Sequence, residues 1–117
     1  MKLEVGQFAR LKSGYICKII NINDFREPNM KYGVEANYLK DIMFIGDEDI
    51  IKASYNIIDI LEVGDYVNGY YVEDILKTFI NVATGSNYFQ NPTIYEQDIK
   101  SIVTHEQMEQ IAYKVGE

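Results

Sequence analysis

The sequence predicts a mainly β protein made of two similar small units, and three observations carry that prediction. Leu3-Glu4-Val5-Gly6-Gln7-Phe8-Ala9 is echoed by Leu61-Glu62-Val63-Gly64-Asp65-Tyr66-Val67 just past the midpoint of the 117 residues. Each copy is followed by a glycine–tyrosine pair, Gly14-Tyr15 and Gly69-Tyr70, that opens an apolar run. Self-similarity at such a spacing marks repeated supersecondary units. Ten tyrosines, no tryptophan and abundant isoleucine and valine favour strand over helix.

In the first copy a short strand over 7–12 meets a tight Ser13-Gly14 turn, and a longer strand runs over 15–23. Its alternation is broken, because Ile16, Ile20 and Ile22 fall on one side while Cys17 and Ile19 fall on the other. Such a strand is buried on both faces or carries a bulge. The polar stretch 24–29 reads as a loop with Pro28 and Asn29 as turn residues. Strands over 32–36 and 41–45 continue the meander, and 50–53 closes it. Ser54 then caps a helical turn over 55–60.

The second copy opens with a strand over 65–67. Asn68-Gly69 is a hairpin turn signal. Strands over 70–77 and 79–83 follow, with Thr84-Gly85-Ser86-Asn87 as a loop and Asn91-Pro92 as a turn. The apolar segment 93–95 leads to a closing strand over 99–103. Thr104 and Gln107 have the spacing of a capping box for a helical segment over 105–113. Asp49-Ile50-Ile51-Lys52-Ala53-Ser54 also aligns, with one insertion, to Asp98-Ile99-Lys100-Ser101-Ile102-Val103-Thr104. Five short strands ending in a helical turn is the layout of an SH3-like small barrel, which closes on itself and limits exposed edges. The expected architecture is therefore two tandem SH3-like barrels, 1–60 and 61–117.

The net charge of −7 is unevenly placed: residues 1–60 hold eight Lys/Arg against nine Asp/Glu, and residues 61–117 three against nine. An acidic second half repels phosphate backbones and argues against nucleic-acid binding. Acid at Glu4 interrupts the apolar stretch a signal peptide requires, and no run reaches membrane-spanning length, which predicts a soluble cytoplasmic protein without membrane association. Cys17 is the only cysteine, so an intramolecular disulfide is excluded.

No nucleophile elbow, phosphate loop or dinucleotide fingerprint occurs, so neither an enzyme nor a cofactor is expected. Asp47-Glu48-Asp49 lacks the alternating ligands of a calcium loop and reads as a solvated turn. His105 is the single histidine, beside Glu106 in a first helical turn. Without a second histidine or a cysteine pattern it is read as solvent-facing, and no metal site is expected. Cys17, among isoleucines, reads as a buried inert thiol.

Aromatic residues carry the binding expectation. The loop Ser86-Asn87-Tyr88-Phe89-Gln90-Asn91 combines adaptable hydrogen-bonding groups with rigid anchors, as recognition loops do. In the first copy Phe25 and Arg26 form the matching loop, with Lys31 and Tyr32 close by. The candidate binding residues are thus Phe25, Arg26, Tyr32, Asn87, Tyr88, Phe89 and Asn91.

Four segments also carry a resemblance. They are Asp24-Phe25-Arg26-Glu27-Pro28-Asn29-Met30-Lys31-Tyr32-Gly33-Val34, Ile51-Lys52-Ala53-Ser54 with Asn56-Ile57-Ile58-Asp59, Glu62-Val63-Gly64-Asp65-Tyr66-Val67-Asn68-Gly69, and Gly85-Ser86-Asn87-Tyr88-Phe89-Gln90-Asn91-Pro92. Together they are similar to a family of small uncharacterised proteins encoded by phages and prophages of low-GC Gram-positive bacteria. The resemblance covers most of the chain and departs between Leu76 and Val82. It implies an accessory protein acting in bacterial cytoplasm on host or phage machinery, and it transfers no site residues. The expected function is a non-catalytic module that binds a host or phage protein, with inhibition of a defence or regulatory factor as its form. The alternative is a small-molecule or nucleotide binder with an aromatic pocket between the barrels.

Overall fold

The structure is a computed structural model that describes residues 3–36, 40–83 and 92–111. The chain divides into two compact units, residues 1–60 and 61–117.

In the first unit β1 (Phe8–Leu11), β2 (Ile16–Ile22), β3 (Tyr32–Glu35), β4 (Met43–Ile45) and β5 (Ile50–Ser54) form one antiparallel sheet in the order β4-β3-β2-β1-β5. The pairing sets Ala9 opposite both Cys17 and Ala53, and Ile19 opposite Val34. These side chains, with Leu11, Tyr32, Ile45 and Ile50, build the core. The broken alternation of β2 is explained by a register shift between Ile19 and Asn21. The extra residue turns the strand by one position, so Ile22 packs on the same core as Ile19 although the two are three apart.

In the second unit β6 (Tyr66–Val67), β7 (Tyr70–Ile75), β8 (Phe79–Ala83), β9 (Thr93–Tyr95) and β10 (Ile102–Val103) form a second antiparallel sheet, in the order β10-β6-β7-β8-β9. Counted from its own start, each unit has the strand order 4-3-2-1-5. The register of β7 on β8 shifts between Val72 and Asp74. Val67, Val72, Ile80 and Val82 are fully buried. Asn68 and Gly69 both take the left-handed backbone that the hairpin requires. An α-helix, α1 (His105–Ile111), follows β10. Its capping box forms as the spacing predicts: the Thr104 amide donates to Gln107 Oε1 at 2.9 Å and the Gln107 amide to Thr104 Oγ1 at 3.3 Å.

Three expectations are corrected. The sheets do not close into barrels: β4 and β5 are the edges of the first, β9 and β10 those of the second. In the first unit a single 3-10 turn, Asp47–Asp49, carries the chain from β4 to β5. Its polar groups are used locally, with the Asp49 amide on Gly46 O and the Lys12 amide on Asp49 O. The closing strand of the second unit is confined to Ile102–Val103. The residues before it bond to the Asn68 side chain instead, whose Oδ1 accepts the amides of Lys100 at 2.7 Å and Ser101 at 3.1 Å. The helical turn expected over 55–60 is a 3-10 turn that starts two residues later, over Ile57–Ile60.

Candidate functional site

The loop between β2 and β3 is built around Arg26. Asn23 Oδ1 accepts the Phe25 amide at 2.9 Å, the local turn that asparagine favours. The Arg26 guanidinium then ties both ends of the loop together. Its Nε donates to Met30 O at 2.8 Å, and its Nη2 donates to Asn21 Oδ1 at 2.6 Å and Lys31 O at 3.1 Å. The planar fork suits several acceptors at once. The same group lies 4.7 Å from the centroid of the Phe44 ring on β4, a cation–π geometry.

This clamp leaves apolar surface outside. Phe25 is fully exposed, and Met30, Ile42 and Phe44 are each about two-fifths to half exposed (42%, 49% and 41%). Gly33 makes room for two of them: a Cβ there would lie 3.3 Å from Ile42 Cγ2 and 3.4 Å from Phe44 Cε1. Arg26, Ile42 and Phe44 therefore lie together beside an edge strand, and the loop that Arg26 ties carries the exposed Phe25 and Met30. No family model, curated protein or solved structure matches the chain.

Tyr32, the third residue expected in the first unit's site, is a core residue. Its ring is 3% exposed and its hydroxyl donates to Asp47 Oδ1. Burial and that bond push its pKa up. The strand period explains this placement: Tyr32 and Val34 share the core face of β3, and Gly33 lies on the opposite face, covered by Asn21, Ile42 and Phe44. Tyr32 offers no face for stacking. Asn87, Tyr88, Phe89 and Asn91, with Tyr38, lie outside the described residues. Cys17 is buried, and burial raises its thiol to about 12.

The second unit holds a cluster that the sequence reading passed over. His105 Nε2 lies 2.6 Å from Glu62 Oε1 and 3.4 Å from Glu106 Oε1. The Asp65 carboxylate, fully buried, anchors this cluster: Oδ2 accepts the Glu62 amide at 2.8 Å and Oδ1 the His105 amide at 2.9 Å. Glu62 and His105 are 43 residues apart. Only the adjacency of Glu106 was visible in sequence. Exposed aromatic surface here includes Tyr71, edge-on to Tyr66 at 5.7 Å, and Tyr95, 5.7 Å from Phe79.

Proposed function

We propose that the chain is a phage or prophage accessory protein made in bacterial cytoplasm, built from one five-stranded β-module duplicated in tandem. It acts as a non-catalytic module that binds a host or phage protein, with a defence or regulatory factor as the target to be inhibited.

The duplication reading is supported by matched detail. The Gly6 and Gly64 amides donate to Ile19 O and Val72 O, and the Ile19 and Val72 amides return bonds to Gln7 O and Asp65 O. Gln7 Oε1 accepts the Glu4 amide as Asp65 Oδ2 accepts that of Glu62. Both sheets place a register shift one residue past Ile19 and Val72 and run through the same strand order, while a second shift, between Arg10 and Leu11, belongs to the first sheet alone.

The observation that carries the binding reading is the apolar patch around Arg26. Large exposed side chains held on a rigid clamp cost little ordering entropy on association, and aromatic and arginine groups dominate interface energetics. Affinity capture from a low-GC Gram-positive lysate tests it, with the native chain compared against the double variant Phe25→Asp, Phe44→Asp. A protein retained by the native chain at moderate salt and lost with the variant fits the reading. Equal retention by both, or retention of nothing specific by either, contradicts it.

A further inference from the structure

We propose that Glu62, His105 and Glu106 form a binding site for a first-row divalent transition ion, with Zn2+ as the natural probe. One ligand atom from each residue lies within 4.8 Å of the other two. A tetrahedral zinc centre with metal–ligand distances of about 2.1 Å sets its donors about 3.4 Å apart. The separation between His105 Nε2 and Glu106 Oε1 is already 3.4 Å. Between His105 and Glu62 it is 2.6 Å, the length of a hydrogen bond, and rotation of the Glu62 carboxylate by about 1 Å brings it to the coordinating distance.

The donor set selects the ion. Imidazole nitrogen with carboxylate oxygen suits zinc and its first-row neighbours, whereas magnesium and calcium prefer six or more oxygens. The two carboxylates carry two negative charges, which match a dication. Three protein ligands would leave one coordination position for water, and the His105 side chain is nearly half exposed (44%).

The framework behind the ligands is built rather than fortuitous. Asp65, fully buried, receives the amides of both Glu62 and His105, so one carboxylate fixes the backbone of two ligands. The Thr104–Gln107 capping box fixes the start of the helix that bears the third. Metal ligands gain affinity from such outer support. The first unit offers an internal contrast. Tyr55 packs over Gly6 there, its Cε1 3.3 Å from where a Cβ would lie, and its hydroxyl donates to Val5 O at 3.5 Å. In the second unit His105 packs over Gly64 and meets Glu62. The second unit thus holds an imidazole and a second carboxylate where the first has a phenol.

The test uses the full chain and its single histidine. The C–H resonances of the His105 ring are followed by NMR as ZnSO4 is added, and separately as MgCl2 is added. The expected result is a saturable change at one equivalent of zinc and none with magnesium at the same concentration. Glu106→Gln keeps the Glu62–His105 contact and its fold is checked from amide shift dispersion; it should weaken zinc binding at least about tenfold. Ring resonances that zinc leaves unmoved would overturn the proposal. So would equal responses to zinc and magnesium, or native affinity in the folded Glu106→Gln protein.

Discussion

His105 Nε2 and Glu62 Oε1 meet at 2.6 Å, joining the first residue of the helix to the turn that opens the second sheet. Beneath that contact Asp65 accepts the amides of the same two residues. The two layers differ in worth. The outer contact is part-exposed, and even between two charged groups contacts of that kind contribute up to about 1 kcal/mol. The inner carboxylate is buried, and its removal leaves two amides without their acceptor at about 1.5–3 kcal/mol each for bonds to a charged group. Urea denaturation should therefore show Asp65→Ala as severely destabilised and His105→Ala as mildly so. A reversed order would mean that the exposed pair, not Asp65, holds the turn.

Arg26→Lys tests the loop clamp. Lysine keeps the charge but cannot serve Met30 O, Asn21 Oδ1 and Lys31 O together while lying flat on Phe44. The loss should be about 1–2 kcal/mol in a denaturation experiment, with hydrogen exchange in residues 24–31 quickened more than in β1. A variant as stable as the native protein would show that the loop holds without the fork.

Gly46→Ala should be costly for a steric reason. A Cβ at Gly46 would lie 2.5 Å from Pro28 O and 2.7 Å from Asn29 Cα, and both are backbone atoms that cannot swing aside. Overpacking of this kind costs about 1–3 kcal/mol, read as a lower urea midpoint. An unchanged midpoint would contradict the close approach of the 28–30 turn to this position.

How much of this was legible in the sequence depends on the range of the interaction. Local signals were readable: the Asn68-Gly69 hairpin, the Thr104–Gln107 box and the bulge announced by the broken alternation of β2 all lie within a few residues of their cause. Sheet closure was not, because the strand order leaves the fourth and fifth strands as opposite edges and short local patterns carry no record of that. The β10 boundary failed because a side chain, Asn68, supplies the bonds a strand would have supplied from 30 residues away. In the candidate site, loop composition pointed to the segment that carries the exposed Phe25 and the Arg26 clamp. Tyr32 falls in the strand expected over 32–36, but which face of that strand meets the core is set by its pairing with β2 and β4, which the local pattern does not record. The Glu62–His105 contact, the bond from buried Arg10 to Ile60 O and that from the His105 amide to Asp65 were invisible, since each spans 40 or more residues.

Alkaline pH should destabilise the fold. Burial raises the Cys17 thiol to about 12, and burial with the Asp47 bond raises Tyr32. Both groups hold a proton more tightly folded than unfolded. Their stabilising contribution is full below the ordinary thiol value of about 8.5 and is lost as pH climbs from there toward about 12. The urea midpoint should accordingly hold to about pH 8.5 and then fall, and the fall should be shallower in Cys17→Ala. At pH 8 the native thiol should resist an aromatic disulfide reagent that reacts at once with the unfolded chain.

The claim on which the account rests is that one β-module is written twice, and native-state amide exchange at four residues tests it most directly. Gly6 and Ile19 in the first unit, and Gly64 and Val72 in the second, each donate to a backbone carbonyl at the matched bulge. The account predicts slow exchange at all four, with each pair protected together. Exchange at the rate of an unstructured peptide at Gly64 and Val72, with Gly6 and Ile19 protected, would contradict it.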